Sequence, residues 1–156
     1  MFGKRLAQLY KVYYNYNVVG EIIKIARLEG KQMKLKRSVK VGDVIQFPHH
    51  CFSEQRRGWN GWIFRAGIVD KLYTDEHGKK CAVVSYCSKR AGRYQLLPCE
   101  IRQRRVPVST LFEFDVDRAE RDYREFKAYE DAGEKVCWSE DTALLLDKGI
   151  IGGDIQ

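Results

Sequence analysis

Between Val39 and Phe114 the apolar residues fall in short runs, rich in β-branched and aromatic side chains and separated by turn residues. After Asp115 their spacing lengthens to three and four. The first pattern predicts strands and the second predicts helices. Val39 to Phe47 reads as a first strand, with Gly42-Asp43 as a turn before Val44-Ile45-Gln46-Phe47. Pro48 lacks a ladder donor and is expected to end it. His49 to Gly61 reads as a polar loop, and Trp62 to Tyr73 as a strand bent at Gly67. Thr74 to Gly78 is a hairpin turn, and Lys80 to Tyr86 returns as the partner strand. Ser88 to Arg93 is a second, basic turn. Tyr94–Leu97 and Ile101–Phe114 then supply the last strands, interrupted at Pro98 and Pro107.

The two ends read differently. Phe2, Leu6, Leu9 or Tyr10, and Tyr13 predict a short amphipathic helix over 2–16. Residues 18–37 fit either a helix or a hairpin with strands near 19–28 and 32–37. The β-branched content and Glu29-Gly30-Lys31 favour the hairpin, which places Lys34 and Lys36 on one face. In the C-terminal part, Val116, Ala119, Tyr123, Phe126 and Tyr129 form one stripe of a helix from Asp115 to Ala132. Charge pairs four apart support it, such as Glu120 with Arg124 and Lys127 with Asp131. Asp115 or Asp117 can cap its start and Gly133 ends it, and Ser139 caps a second, shorter helix closed by Gly149. The predicted fold is α+β: a small antiparallel β-barrel body over 1–114 with a short N-terminal helix, and an acidic helical segment over 115–156 packed on that body through Val116, Tyr123 and Phe126.

Charge sharpens this division. The chain has 156 residues and a net charge of +7. Residues 1–47 carry ten Lys/Arg against three Asp/Glu, and residues 48–114 carry twelve against six. Residues 115–156 carry six against twelve. A body of +13 over 1–114 is thus followed by a tail of −6 over 115–156. Such a body favours a polyanionic partner, nucleic acid first. The composition, 44% hydrophobic and 31% charged, belongs to a globular chain rather than a disordered one. No apolar run reaches the ~18 residues that span a bilayer, and Met1-Phe2-Gly3-Lys4-Arg5 opens no secretion signal. A cytoplasmic location is expected, with no membrane partner. The five cysteines then read as free thiols.

Few residues carry specific chemistry. His49, His50, Cys51, His77, Cys81, Cys87 and Cys99 are the right elements for zinc, but no C-x-x-C pair is present. Cys51 beside His50 has no surrounding nucleophile signature. No phosphate-cradling glycine loop occurs. No catalytic residue, metal or cofactor is therefore assigned.

Val41-Gly42-Asp43-Val44-Ile45, a long loop, and Gly67-Ile68-Val69-Asp70-Lys71-Leu72-Tyr73 resemble the opening of SH3-like barrels, over about half the chain. The resemblance implies architecture, and a binding face at the first long loop, more than an activity. Ser53-Glu54-Gln55-Arg56-Arg57-Gly58 after that strand start also resembles the MazF/PemK-type endoribonucleases, in which Arg56, Arg57 or Arg65 would act as a charge clamp. Their Arg-Pro pair is replaced here by Phe64-Arg65-Ala66.

Basic residues beside aromatic ones give the leading functional reading, because they join phosphate attraction to a stacking platform. The candidate contacts are Lys34, Lys36, Arg37, Arg56, Arg57, Trp59, Trp62, Lys89, Arg90, Arg93, Arg102 and Arg104. Lys79 and Lys80 fall in the same run as Lys89, Arg90 and Arg93. The expected function is a non-enzymatic protein binding nucleic acid or a nucleoprotein. One alternative is a protein-interaction module docking through the 115–132 helix, such as an anti-CRISPR-like inhibitor from a phage or mobile element. The other is the endoribonuclease.

Overall fold

A computed structural model describes residues 33–53, 59–90, 94, 96 and 99–153; at 50–53, 59–62, 89 and 90 it describes the backbone alone. Five strands form one antiparallel sheet: β1 Val44–Ser53, β2 Trp59–Thr74, β3 Lys80–Arg90, β4 Cys99–Pro107 and β5 Phe112–Glu113. Their order is β4-β3-β2-β1-β5. Two helices follow, α1 Val116–Asp131 and α2 Glu140–Asp147. The predicted 2–16 helix and the first strand of the 18–37 hairpin lie outside the described residues.

Among the described residues the sheet is open, not the closed barrel expected: its strand order ends at β4 and at β5. It is nevertheless curled. Only residues 108–111 separate Pro107 from Phe112. That link spans at most ~18 Å fully extended, and a 3-10 turn at Val108–Thr110 shortens it. A flat five-stranded sheet would hold its outer strands ~19 Å apart. The thread from β4 to β5 thus forces the edges toward each other. The Thr110 hydroxyl donates to the Pro107 carbonyl at 2.7 Å and fixes the turn.

Several boundaries differ from the pattern. β1 begins at Val44 and runs through Pro48 to Ser53, with Pro48 opposite Phe64. Among the described residues β5 pairs only with Ile45 and Gln46, so Pro48 lies beyond that pairing, where its missing N–H breaks no bond to β5. The polar loop expected over 49–61 is largely strand, with His49–Ser53 paired to Ile63–Trp59. The bulge in β2 falls between Val69 and Lys71, not at Gly67. Asp70, in the bulge, accepts a hydrogen bond from the Gln103 amide at 2.8 Å and another from the Ser85 hydroxyl. These side-chain bonds to a half-buried carboxylate accompany the bulge. Gly67 instead leaves room for the Phe47 ring, which a Cβ there would meet at 3.0 Å.

Residues 33–37 make a single bridge rather than a hairpin strand. Leu35 pairs with Phe112, the Glu113 N–H donates to Lys34 O at 2.7 Å, and the Lys36 N–H donates to Leu111 O at 2.9 Å.

Two apolar clusters fill the sheet's faces. Ile45, Phe47, Val69, Ala82, Val84, Tyr86, Val106 and Leu111 form the first, with Val39 and Val108 against it. On the other face Ala66 and Cys87 pack with Ala143 and Leu144 of α2. It is α2 that buries residues, Ala143, Leu144 and Leu145, whereas α1 buries none. The α1 stripe expected on the body instead meets Trp138, whose ring lies 5.8 Å from that of Tyr123 and 6.4 Å from that of Phe126. Trp138 is buried, and its indole N–H donates to Glu130 at 2.7 Å. The helix caps follow the sequence reading: Asp115 accepts from the Arg118 N–H, and Ser139 from the Thr142 N–H. Gly133 and Gly149 take positive φ just beyond the two helices.

The expectation of free thiols fails at one pair. Cys87 and Cys99 form a disulfide between β3 and β4, with Cα atoms 5.9 Å apart. In the ladder Cys87 lies opposite Ile101 and Cys99 opposite Arg90, so the two cysteines are diagonal neighbours beside a register slip between Cys87 and Lys89. Cys81 and Cys137 are free.

Candidate nucleic-acid interface

Two segments distant in sequence meet beside the β2–β3 turn. The first is the stretch before β1. Its Lys40 N–H donates to the Asp43 carboxylate at 2.8 Å, and the Gly42 N–H donates to Val69 O at 2.7 Å. With Gly42 at φ +93°, this turn lays Lys36 and Arg37 back across the sheet's end. The second is the hairpin. The Asp75 carboxylate accepts from the N–H groups of Lys79 at 2.8 Å and His77 at 2.9 Å. Those bonds, the Lys79 one first, hold the Asp75 carboxyl below the usual carboxylate range, so it stays ionised as the turn's internal anchor.

Between the segments lies a trough of about 650 Å³, walled by Leu35, Lys36, Arg37, Lys79, Lys80 and Val108. It adjoins a second bay of about 510 Å³ that shares Arg37, Lys80 and Val108 and adds Leu72 and Tyr73. Four cationic side chains thus line the first bay. Among the described residues the Asp43 carboxylate lies 3.9 Å from the Lys36 ammonium. Leu35 and Leu72 are 37% and 38% exposed. Apolar walls and cationic rims therefore occur together.

The predicted contacts divide. Lys36 and Arg37 line the trough, while Lys34 is exposed outside it. Arg102 on β4 pairs with Glu100 at 3.0 Å. Arg104 lies opposite Val84, partly buried beside Asp70 and Lys71 in a separate depression of about 420 Å³. Arg56, Arg57 and Arg93 lie outside the described residues, and for Trp59, Trp62, Lys89 and Arg90 the description stops at the backbone. The sequence pattern grouped Lys79 and Lys80 with the 88–93 turn; the fold sets them instead against Lys36 and Arg37. Leu35 and Leu72 carried no signal beyond their strand pattern.

Arg65, the candidate nuclease clamp, is engaged by the chain itself. Its guanidinium donates to Cys87 O at 2.9 Å, pairs with Glu140 and lies 5.8 Å from the Tyr86 ring centre. Beside it the Ala66 N–H donates to Asp141 at 3.1 Å. These contacts fasten the α2 N-terminus to β2. No cluster of three metal-ligating side chains occurs among the described residues. No helix among them is long and apolar enough to cross a membrane.

Comparison of the chain with protein-family models, curated proteins and solved structures found no match.

Proposed function

We propose that this chain is a non-enzymatic binding protein whose basic surface contacts nucleic acid or a nucleoprotein, centred on the Lys36–Lys80 trough. The observation that carries the reading is the convergence of Lys36, Arg37, Lys79 and Lys80, from two segments some forty residues apart, on one concave site. Cations gathered on a concavity focus the field and attract phosphates. The SH3-like reading of the sheet belongs with this proposal. Its support is the curl, with β5 returning beside β1, and such small barrels commonly host binding sites.

Binding of fluorescent DNA and RNA to the whole protein tests it, at about 50 and about 200 mM salt. Four phosphate contacts predict a loss on the order of a hundredfold between those salts. The Arg37→Gln/Lys80→Gln variant should bind more weakly, with its salt slope lowered by about two. Unchanged affinity and slope in that variant would reject the trough as the interface.

A second reading draws on α1, where Phe126 and Tyr129 are 46% and 47% exposed on an acidic helix. It makes α1 a docking element for a partner protein. The two readings separate because Phe126→Ala should leave nucleic-acid affinity unchanged.

A further inference from the structure

We propose that the trough takes single-stranded rather than duplex nucleic acid, with phosphates on Arg37 and Lys80 and unstacked bases against Leu35, Leu72 and Tyr73. This rests on the nucleic-acid reading above and specifies its ligand. The two bays, about 650 and about 510 Å³, share Arg37, Lys80 and Val108 in their walls. Each lies in the size range of pockets that enclose a small planar group. Their cations alone would suit any polyanion. The apolar walls are what discriminate. Leu35 and Leu72 belong to the few large hydrophobic side chains left exposed among the described residues, and both line this one feature.

A duplex keeps its base faces stacked inside and presents phosphates and groove edges. Against a duplex, Leu35 and Leu72 would stay hydrated or face phosphate, gaining nothing. A single strand presents base faces and phosphates alternately, which matches a groove of apolar wall and cationic rim. Tyr73 also lines the second bay. Arg37 and Lys80, lining both bays, are placed to hold the phosphate linking two successive nucleotides.

The test uses the full chain, a labelled single strand of about 12 nucleotides, the corresponding duplex, and inorganic polyphosphate as competitor. The inference expects the single strand to bind about tenfold more tightly than the duplex. In Leu35→Ala/Leu72→Ala the single strand should lose about tenfold in affinity, with its salt slope unchanged. Duplex binding by the same variant should be unaltered, which also reports that it is folded. Arg37→Gln/Lys80→Gln should weaken both ligands. Equal single-strand and duplex affinities that the leucine variant leaves alone, with only the Arg37/Lys80 variant impaired, would overturn the single-strand inference and keep the nucleic-acid reading. Polyphosphate competing as well as the single strand, charge for charge, would overturn it too, since bases would then contribute nothing. Absence of binding by either nucleic acid at about 50 mM salt would remove both readings.

Discussion

Asp141 shows how one side chain couples the helical segment to the sheet. It stands in the first turn of α2 and accepts the Ala66 N–H. Burial pushes its carboxyl up to about 6 from 3.8; the Ala66 bond and the Arg65 guanidinium pull the other way, and Glu140 adds to the rise. Its folded pKa therefore lies above its unfolded one. Between about pH 4 and about pH 6 the folded chain holds a proton the unfolded chain has released. The stability Asp141 contributes is full below pH 4 and is lost as pH rises through about 6. Asn keeps an oxygen for the Ala66 N–H and removes the charge. Asp141→Asn should thus flatten the stability profile between pH 4 and 6. At pH 7 it should be more stable than the parent by on the order of 2 kcal/mol. Thermal midpoints of both proteins across pH 4–8 decide it; parallel profiles would mean that Asp141 titrates normally.

Elements whose signals are local were legible in the sequence. The Thr74–Gly78 turn, the Asp115 and Ser139 caps and the glycines after both helices need only neighbours within five residues, and all are found. What escaped depends on pairing across the chain. The Asp70 bulge goes with bonds to Ser85 and Gln103, Pro48 lies beyond the short pairing with β5, and β1 outlasts its apolar run because β2 accompanies it. The trough is the same case at the level of function: Lys36 and Lys80 share no local pattern, and a turn at Gly42 brings them together. The Cys87–Cys99 bond is a further long-range feature, tying β3 to β4 across a separation of 12 residues. Closing a loop of that size should contribute about 3 kcal/mol in the chain-entropy view. Cys87→Ser/Cys99→Ser is therefore expected to lower the unfolding free energy by that amount under oxidising conditions, seen as a lower denaturant midpoint. The intact purified protein should weigh two hydrogens less than its fully reduced form. A mass equal to the reduced form in the absence of reductant would show that the two thiols are not joined.

At the scale of the whole molecule, charge divides the chain at residue 114 but packing does not. Ala143 and Leu144 are fully buried against Ala66 and Cys87, with Ile68, Ile101 and Phe114 beside them. Glu140 and Asp141 engage Arg65 and Ala66 at the same seam. Removing 115–156 would strip one face of the sheet. Burial of a leucine such as Leu144 stabilises by about 1.5–3 kcal/mol, Leu145 and Trp138 are buried in the same segment, and Arg65 would lose its ion pair with Glu140. Whole domains are stable by only about 5–15 kcal/mol. Those losses together are a large share of that margin. A chain ending at residue 114 is thus expected to show no cooperative thermal transition and to expose apolar surface that binds a reporter dye, while the full chain melts in one step. The acidic segment is then a structural half of the sheet's core as well as a counter-charge to the basic body. A truncated chain that melts as sharply as the parent, at a similar temperature, would instead make 1–114 an independent unit and leave 115–156 as an appendage.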